Sequence, residues 1–386
     1  MKLVDETIQQ FRTRFSVEPE VVVAAPGRVN MMGEHTDYNE GYVLPAAIDR
    51  YVVVAVGKRG DRLAYFHSVD YNQTHRFFVP HVHQTKSLPW ANYPKGVLCL
   101  LRTQGLSVQG MNFCFQGNIP QRAGLSSSAA VEVASAMAFA RLFDVDVPPL
   151  DLVQLCQRAE NDFVGVQCGI MDQFIAVLGK KHHALFVDCR NLHYEFLPLP
   201  KSVGIVICDT RVKRELTRSQ YNTRRLECEE AVKELSSVRP GIRSLRDVSL
   251  EAFLHDQMHL HWTLRKRCRH VISENDRVVQ SVKALGAGDV GLFGKLMVDS
   301  HVSLRNDYEV SSRELDAVVD IAMEVDGVYG ARMTGAGFGG SVICLVQRQH
   351  IDMFGQTVRK EYSKMFGIEP AIYACSVVDG AHVVKH

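Results

Sequence analysis

The sequence predicts an α+β chain of two domains, and three observations carry that expectation. Its 386 residues exceed what a single core of about 150 residues accounts for. Strand-like and helix-like apolar periods alternate through the first half, whereas the following stretch is mostly of helical period and the chain then closes on strand, glycine loop, strand, helix, strand. The change of character falls near residue 200, giving domains 1–200 and 201–386.

Leu3, Ile8, Phe11 and Phe15 recur at helical spacing, so residues 1–15 read as an amphipathic helix leading into a strand at 21–25. A polar, glycine-punctuated segment follows at 26–41. Strand-like runs at 42–48, 51–56 and 63–67, a helix at 90–101 and a strand at 111–115 complete the first third. Small residues over 126–143 predict a buried helix, followed by helices near 150–162 and 170–178 and strands at 184–188 and 203–208. Helical periods then run through 217–235, 262–284, 290–302 and 312–325. No internal repeat, low-complexity tract or long linker interrupts this order.

Composition narrows the class. With 44 basic against 43 acidic residues the net charge is +1, which excludes nucleic-acid binding through an overall positive field, so any basic function must be local. The ten cysteines are scattered singly from Cys99 onward with no C-x-x-C pair, which argues against zinc ribbons and a disulfide framework and points to a reducing cytoplasm. Asp5, Glu6, Arg12 and Arg14 break any apolar run at the N-terminus, so no signal peptide is expected. No stretch approaches about eighteen apolar residues, so no membrane partner is expected either. His81, His83, His182, His183, His259 and His261 form no metal-ligand spacing and read as surface or packing residues; the run Arg265 to Arg269 reads as a solvated helix face.

Three loops could carry chemistry. In 26–41, Glu34, His35 and Asp37 offer acceptors and a switchable donor within four residues, suited to a ligand with several hydroxyls, and Arg28 supplies a fixed cation. A solvated polar turn would have the same composition. In 120–130, between a strand and a helix, small residues let backbone N–H groups converge on an anion, and the serines add donors or a metal ligand. A plain N-cap needs one serine rather than three, so phosphate binding is favoured, although no Walker A lysine is present. In 333–341, Gly335, Gly337 and Gly340 satisfy G-x-G-x-x-G, but a strand rather than a helix follows, which rejects a dinucleotide fingerprint. Such a loop instead permits close approach of a backbone or ligand.

In this order and at these separations the loops resemble the three motifs of the GHMP small-molecule kinases. The first resembles the galactokinase branch: G-R-V-N-x-x-G-E-H-T-D-Y-x-x-G is matched from Gly27 to Gly41 in every defined position. Trp90-Ala-Asn-Tyr93, Glu160-Asn161, Cys168 to Gln173 and Tyr221 to Arg225 extend the resemblance over nearly the whole chain. It implies an N-terminal mixed α/β domain like domain 2 of ribosomal protein S5, a ferredoxin-like C-terminal domain, and an active site in the cleft between them. The implied reaction is transfer of the ATP γ-phosphoryl to the C1 hydroxyl of α-D-galactose, the first committed step of galactose catabolism. By the same resemblance Glu34, His35, Thr36, Asp37 and Tyr221 would bind galactose. Arg122, Ala123, Gly124, Leu125, Ser126, Ser127 and Ser128 would hold the ATP phosphates, and Ser128 with Glu160 the Mg²⁺ ion. Asp172 would be the catalytic base with Arg28 beside it, and Trp90 and Tyr93 would line the adenine pocket or else pack in a core. A monomer is expected.

Two rivals share much of the signature: an N-acetylgalactosamine kinase, and a non-catalytic sensor of galactose and ATP. The intact Ser128-Ala129-Ala130 run, with Asp172 and Arg28 present, favours an enzyme. One position departs from the pattern, since Arg122 stands where the second motif usually has glycine. An arginine adds a cation and disfavours positive φ, so nucleotide binding should be altered rather than lost. Arg122→Gly is accordingly expected to change the KM for ATP; identical constants would refute this. Ser341 stands where cysteine is common, a near-isosteric and mild change.

Overall fold

The computed structural model describes residues 2–105, 108–121, 123–212 and 217–385. In its first half, helix α1 (Lys2–Phe15) precedes strands β1 (Val21–Asn30), β2 (Tyr42–Val43), β3 (Pro45–Arg59), β4 (Leu63–Ser68) and β5 (Gln73–Phe78). Helix α2 (Asn92–Thr103), β6 (Gly110–Gly117), α3 (Ser127–Leu142), α4 (Pro149–Arg158), α5 (Met171–Leu178), β7 (His183–Asp188) and β8 (Tyr194–Pro198) complete it. The second half runs β9 (Val203–Asp209), α6 (Thr217–Val238), α7 (Leu250–Asp256), α8 (Trp262–Gly286), α9 (Val290–Ser303) and α10 (Arg313–Met323). It ends with β10 (Val328–Thr334), β11 (Ser341–Gln347), α11 (Ile351–Phe366), β12 (Ala371–Cys375) and β13 (His382–Lys385).

The first sheet has the order β13-β1-β3-β6-β4-β5 and is antiparallel except for the β4–β6 pair. Strand β1 is buried along its whole length because both sheet faces are covered. Val21, Val23 and Ala25 pack into the core that includes α3, while Val22 and Ala24 pack with Phe11 of α1 on the other side. A strand covered on both faces reads as a continuous apolar run, as residues 21–25 of this one do. The second sheet, β10-β11-β9-β12, is antiparallel; one face packs on α6, α8, α10 and α11, while Ile205, Ile207, Ile343 and Leu345 on the other join the core of the first half. A small sheet, β2-β7-β8, completes the molecule. The C-terminal strand β13 returns to pair with β1.

Several expectations are corrected. Residues 26–30 of the polar segment continue β1, pairing with β3 after a register shift between Pro26 and Gly27. The runs expected at 42–48 and 51–56 are β2 and one long β3. The helix expected to 162 ends as α-helix at Arg158 and widens into a π-helical turn, Ala159–Val164, that carries Glu160. Such bulges are frequent at functional sites. The basic run is a solvated face only in part: Arg269 is exposed, but Arg267 is 3% exposed and ion-pairs with Glu227 at 2.7 Å and Glu309 at 2.9 Å, while Lys266 pairs with Glu309 at 2.7 Å.

Candidate active site

The three loops meet at the end of β1. Arg28 points from that strand toward the N-terminus of α5, where its Nε and Nη2 both donate to Asp172 Oδ1, at 2.8 and 2.7 Å. Its Nη1 donates to the Gly124 carbonyl at 2.5 Å and its own amide to the Leu125 carbonyl at 3.1 Å, so the second loop is tied to the pair. Ser126 Oγ donates to the other Asp172 oxygen, Oδ2, at 2.5 Å. The third loop closes over the second: a Cβ at Gly335, which has φ +83°, would lie 3.0 Å from the Gly124 carbonyl oxygen.

Glu34 is held from several sides. Asn30 Nδ2 donates to its Oε2 at 2.9 Å, the Gly335 amide to its Oε1 at 2.6 Å, and Arg332 Nη2 stands 3.2 Å from Oε1. Its backbone is fixed by α8: Glu274 Oε1 accepts from the amides of Gly33 and Glu34, and His270 Nε2 donates to the Glu34 carbonyl. His35 hydrogen-bonds Tyr38 Oη through Nδ1 at 2.8 Å and packs against the rings of Tyr221 and Tyr308. Burial, with the nearby charges of His270 and Arg224, pushes its pKa down to about 3. It is therefore a neutral hydrogen-bonding group at physiological pH.

Asp37 abuts Gly169, where a Cβ would fall 1.9 Å from Oδ2, so only glycine leaves the carboxylate its place. Burial first, and then the charge of Asp172, push Asp37 up to about 7. Between the ordinary carboxyl value of about 3.9 and this one, the folded state keeps a proton that the unfolded chain releases, so folding loses stability as pH rises through that window. Asp37→Asn removes the titration. Its folding stability relative to the parent should therefore rise from pH 5 to pH 8, by an amount on the order of 2 kcal/mol, as measured by denaturation at the two pH values. A shift independent of pH would contradict this.

Glu160 is likewise buried and pushed up to about 7, by desolvation and then by Asp172. It accepts from Ser128 Oγ, from Gln173 Nε2 at 2.8 Å and from Cys168 Sγ at 3.4 Å. Gln173 Nε2 also reaches Glu132 at 3.1 Å, a second buried carboxyl held well above its usual range by desolvation and by Glu160.

Two cavities share this wall. One, of about 370 Å³, is lined by Arg28, Glu34, His35, Asp37, Asp172 and Tyr221 among others. The second, of about 420 Å³, is lined by Trp90, Phe115, Ser127 and Ser128, and Tyr93 borders both. Thr36 does not reach either. Its hydroxyl donates to the carbonyls of Gly33 and Tyr42, at 2.9 and 2.6 Å, and serves the turn. Ala123 and Leu125 are buried in the core and offer the site only backbone, and Arg122 lies outside the described residues. Sequence reasoning missed Glu274, His270, Arg332, Tyr38 and Tyr308. Only Tyr38, inside the first motif, and Arg332, just before the third loop, stood near a signal.

A compact cavity lined by carboxylates stands beside a cleft at a serine-bearing helix N-terminus, in a chain whose family matches put it in the class of GHMP small-molecule kinases. Residues 92–180 match the GHMP kinases N terminal domain and residues 281–364 the GHMP kinases C terminal family. A mevalonate kinase from Methanococcus jannaschii shares that fold at 18% identity, with a TM-score of 0.64 over 93% of this chain and 99% of its own. Within the class, residues 9–58 match the galactokinase galactose-binding signature. A galactokinase of Roseiflexus sp. (strain RS-1) is 46% identical over 375 residues, 97% of this chain and 96% of that protein. The crystal structure of Lactococcus lactis galactokinase complexed with galactose is 37% identical, with a TM-score of 0.95 and 99% of each chain covered. The chain belongs to the galactokinase family.

Proposed function

We propose that the protein transfers the γ-phosphoryl of ATP to the C1 hydroxyl of α-D-galactose, with the sugar in the smaller cavity and the nucleotide in the adjoining cleft. The observation that carries this is the Arg28–Asp172 pair on the sugar-cavity wall, hydrogen-bonded to the 124–126 segment that leads to the cleft. On this reading the working halves would divide near residue 200, between β8 and β9, with β13 returning to the first sheet.

Glu34 and Asp37 would accept hydrogen bonds from sugar hydroxyls, neutral His35 would exchange one, and Tyr221 would cover a ring face. The helix α3 N-terminus and its serines would receive the phosphates. A carboxylate is a weak base toward a sugar hydroxyl, so Asp172 would take the proton late, while Arg28 offsets charge building on the nucleophile and the transferring group. Positioning and electrostatics then supply most of the rate, as is general for phosphoryl transfer.

Ser128 and Glu160 suit a Mg²⁺ ion. Both are oxygen donors, they touch one another, and Glu160 is a buried carboxyl whose charge is disfavoured by Asp172 until a cation offsets it. Among the described residues no group of three or more His, Cys, Asp or Glu surrounds a cation position, so phosphate oxygens and waters would complete the shell, as Mg²⁺ prefers. When bound, the ion would neutralise phosphate charge. We further propose a cytoplasmic location, on the ten free cysteines, with the chain acting as a monomer. No helix among the described residues is long and apolar enough to cross a membrane.

Coupled ADP release with galactose, with N-acetylgalactosamine and without sugar tests the reading. Turnover that depends on galactose and exceeds that on the acetylated sugar is expected. Preference for N-acetylgalactosamine, or binding of both ligands without ADP release, would replace it with one of the rivals.

A further inference from the structure

Asp172 is fixed by two groups that come from different elements, and they leave its two oxygens unequal. Oδ1 receives both Arg28 Nε and Arg28 Nη2, at 2.8 and 2.7 Å. A carboxylate oxygen has about two lone-pair sites, so Arg28 fills those of Oδ1. Oδ2 receives only Ser126 Oγ, at 2.5 Å, and keeps one site open. Among the described groups around Asp172, Oδ2 is thus the oxygen with room to accept a proton, and Ser126 sets its direction.

The backbone at Ser126 agrees with that role. It has φ 59° and ψ 45°, the left-handed region that a serine enters only at an energetic cost. An ordinary N-cap serine is extended and turns its oxygen back onto the amides of its own helix. Ser126 precedes α3 and makes no such bond; its hydroxyl is turned across the cleft to α5. We propose that Ser126 is a positioning residue for the transfer: its hydroxyl orients the Asp172 carboxylate so that Oδ2 receives the proton of the sugar hydroxyl, and its side chain does not serve as a nucleotide ligand. The O–H bond of the sugar breaks as the new O–P bond forms, and the proton passes to Oδ2 while ADP leaves. This inference rests on Asp172 being the proton acceptor.

Ser126→Gly tests it, because glycine holds the left-handed backbone without strain and removes the hydroxymethyl side chain with its hydrogen bond to Asp172. The expected result is a kcat lower by about 10- to 100-fold, the size of a misplaced reacting group, with galactose Kd and KM for ATP nearly unchanged and the melting temperature unchanged or raised by relief of the backbone strain. A raised KM for ATP at normal kcat would make Ser126 a nucleotide ligand and overturn the proposal. Unchanged kinetics, or losses of stability and galactose affinity in step with kcat, would overturn it equally. Asp172→Asn, measured in parallel, separates the two claims. If that variant turns over normally, the underlying reading fails; if it is inactive while Ser126→Gly is normal, only the role of Ser126 fails.

Discussion

Asp172→Asn is expected to lower turnover by about 10²–10⁴-fold while leaving galactose binding nearly intact. The amide keeps the shape of the side chain and can still accept from Arg28 through Oδ1, so the α5 N-terminus and the loop contacts should hold. It cannot hold a proton in the transition state, and its Nδ2 faces a serine hydroxyl that now lacks an acceptor. Removing the charge acts on binding in the opposite sense. Asp172 contributes to the upward push on both Asp37 and Glu160, so without it these carboxyls ionise more readily at neutral pH and remain acceptors. Calorimetry with galactose and coupled ADP release measure the two quantities separately. Retention of more than about one-tenth of the parent kcat would contradict a general-base role.

Arg332→Met should cost folding stability by about 3–5 kcal/mol, the range for breaking a buried ion pair by deleting one partner. Arg332 is fully buried, with Nη2 3.2 Å from Glu34 and Nη1 4.0 Å from Glu274. Burial works against ionising Glu274, but Arg277, His270 and Arg332 together outweigh it and hold the carboxyl well below the usual range. Methionine matches much of the volume and none of the charge, which leaves the buried Glu34 carboxylate without its cation while Glu274 keeps Arg277. Because the Glu34 carboxylate also loses an anchor, galactose affinity should fall along with the denaturation midpoint. A loss below about 1 kcal/mol would place the arginine among pairs whose desolvation cancels their attraction.

The site was legible where its residues crowd into one segment. Arg28, Glu34, His35 and Asp37 lie within a single run, and Asp172 and Glu160 carry recognisable neighbours. Their supports were not, because Glu274 and His270 belong to the long helix α8, where polar residues buried in the fold read in sequence like those of a solvated face. Thr36 illustrates the converse: it occupies a motif position yet its hydroxyl closes the turn. The central strands could be read from their apolar runs. Strand β5 alternates half-buried and exposed residues at a sheet edge, and β13 is a four-residue edge strand, so neither leaves such a run. Arg267 misled for a related reason: a basic run looks solvated until Glu227 and Glu309, distant in sequence, are brought against it.

The central claim is that this cavity presents the anomeric hydroxyl of galactose to the Arg28–Asp172 pair. Phosphorus NMR of the product formed from galactose and ATP tests it most directly. The account predicts a single sugar phosphate whose phosphorus couples to the anomeric proton, in α configuration, formed in step with ADP. Phosphorus coupled to the C6 protons, or inorganic phosphate alone, would contradict it.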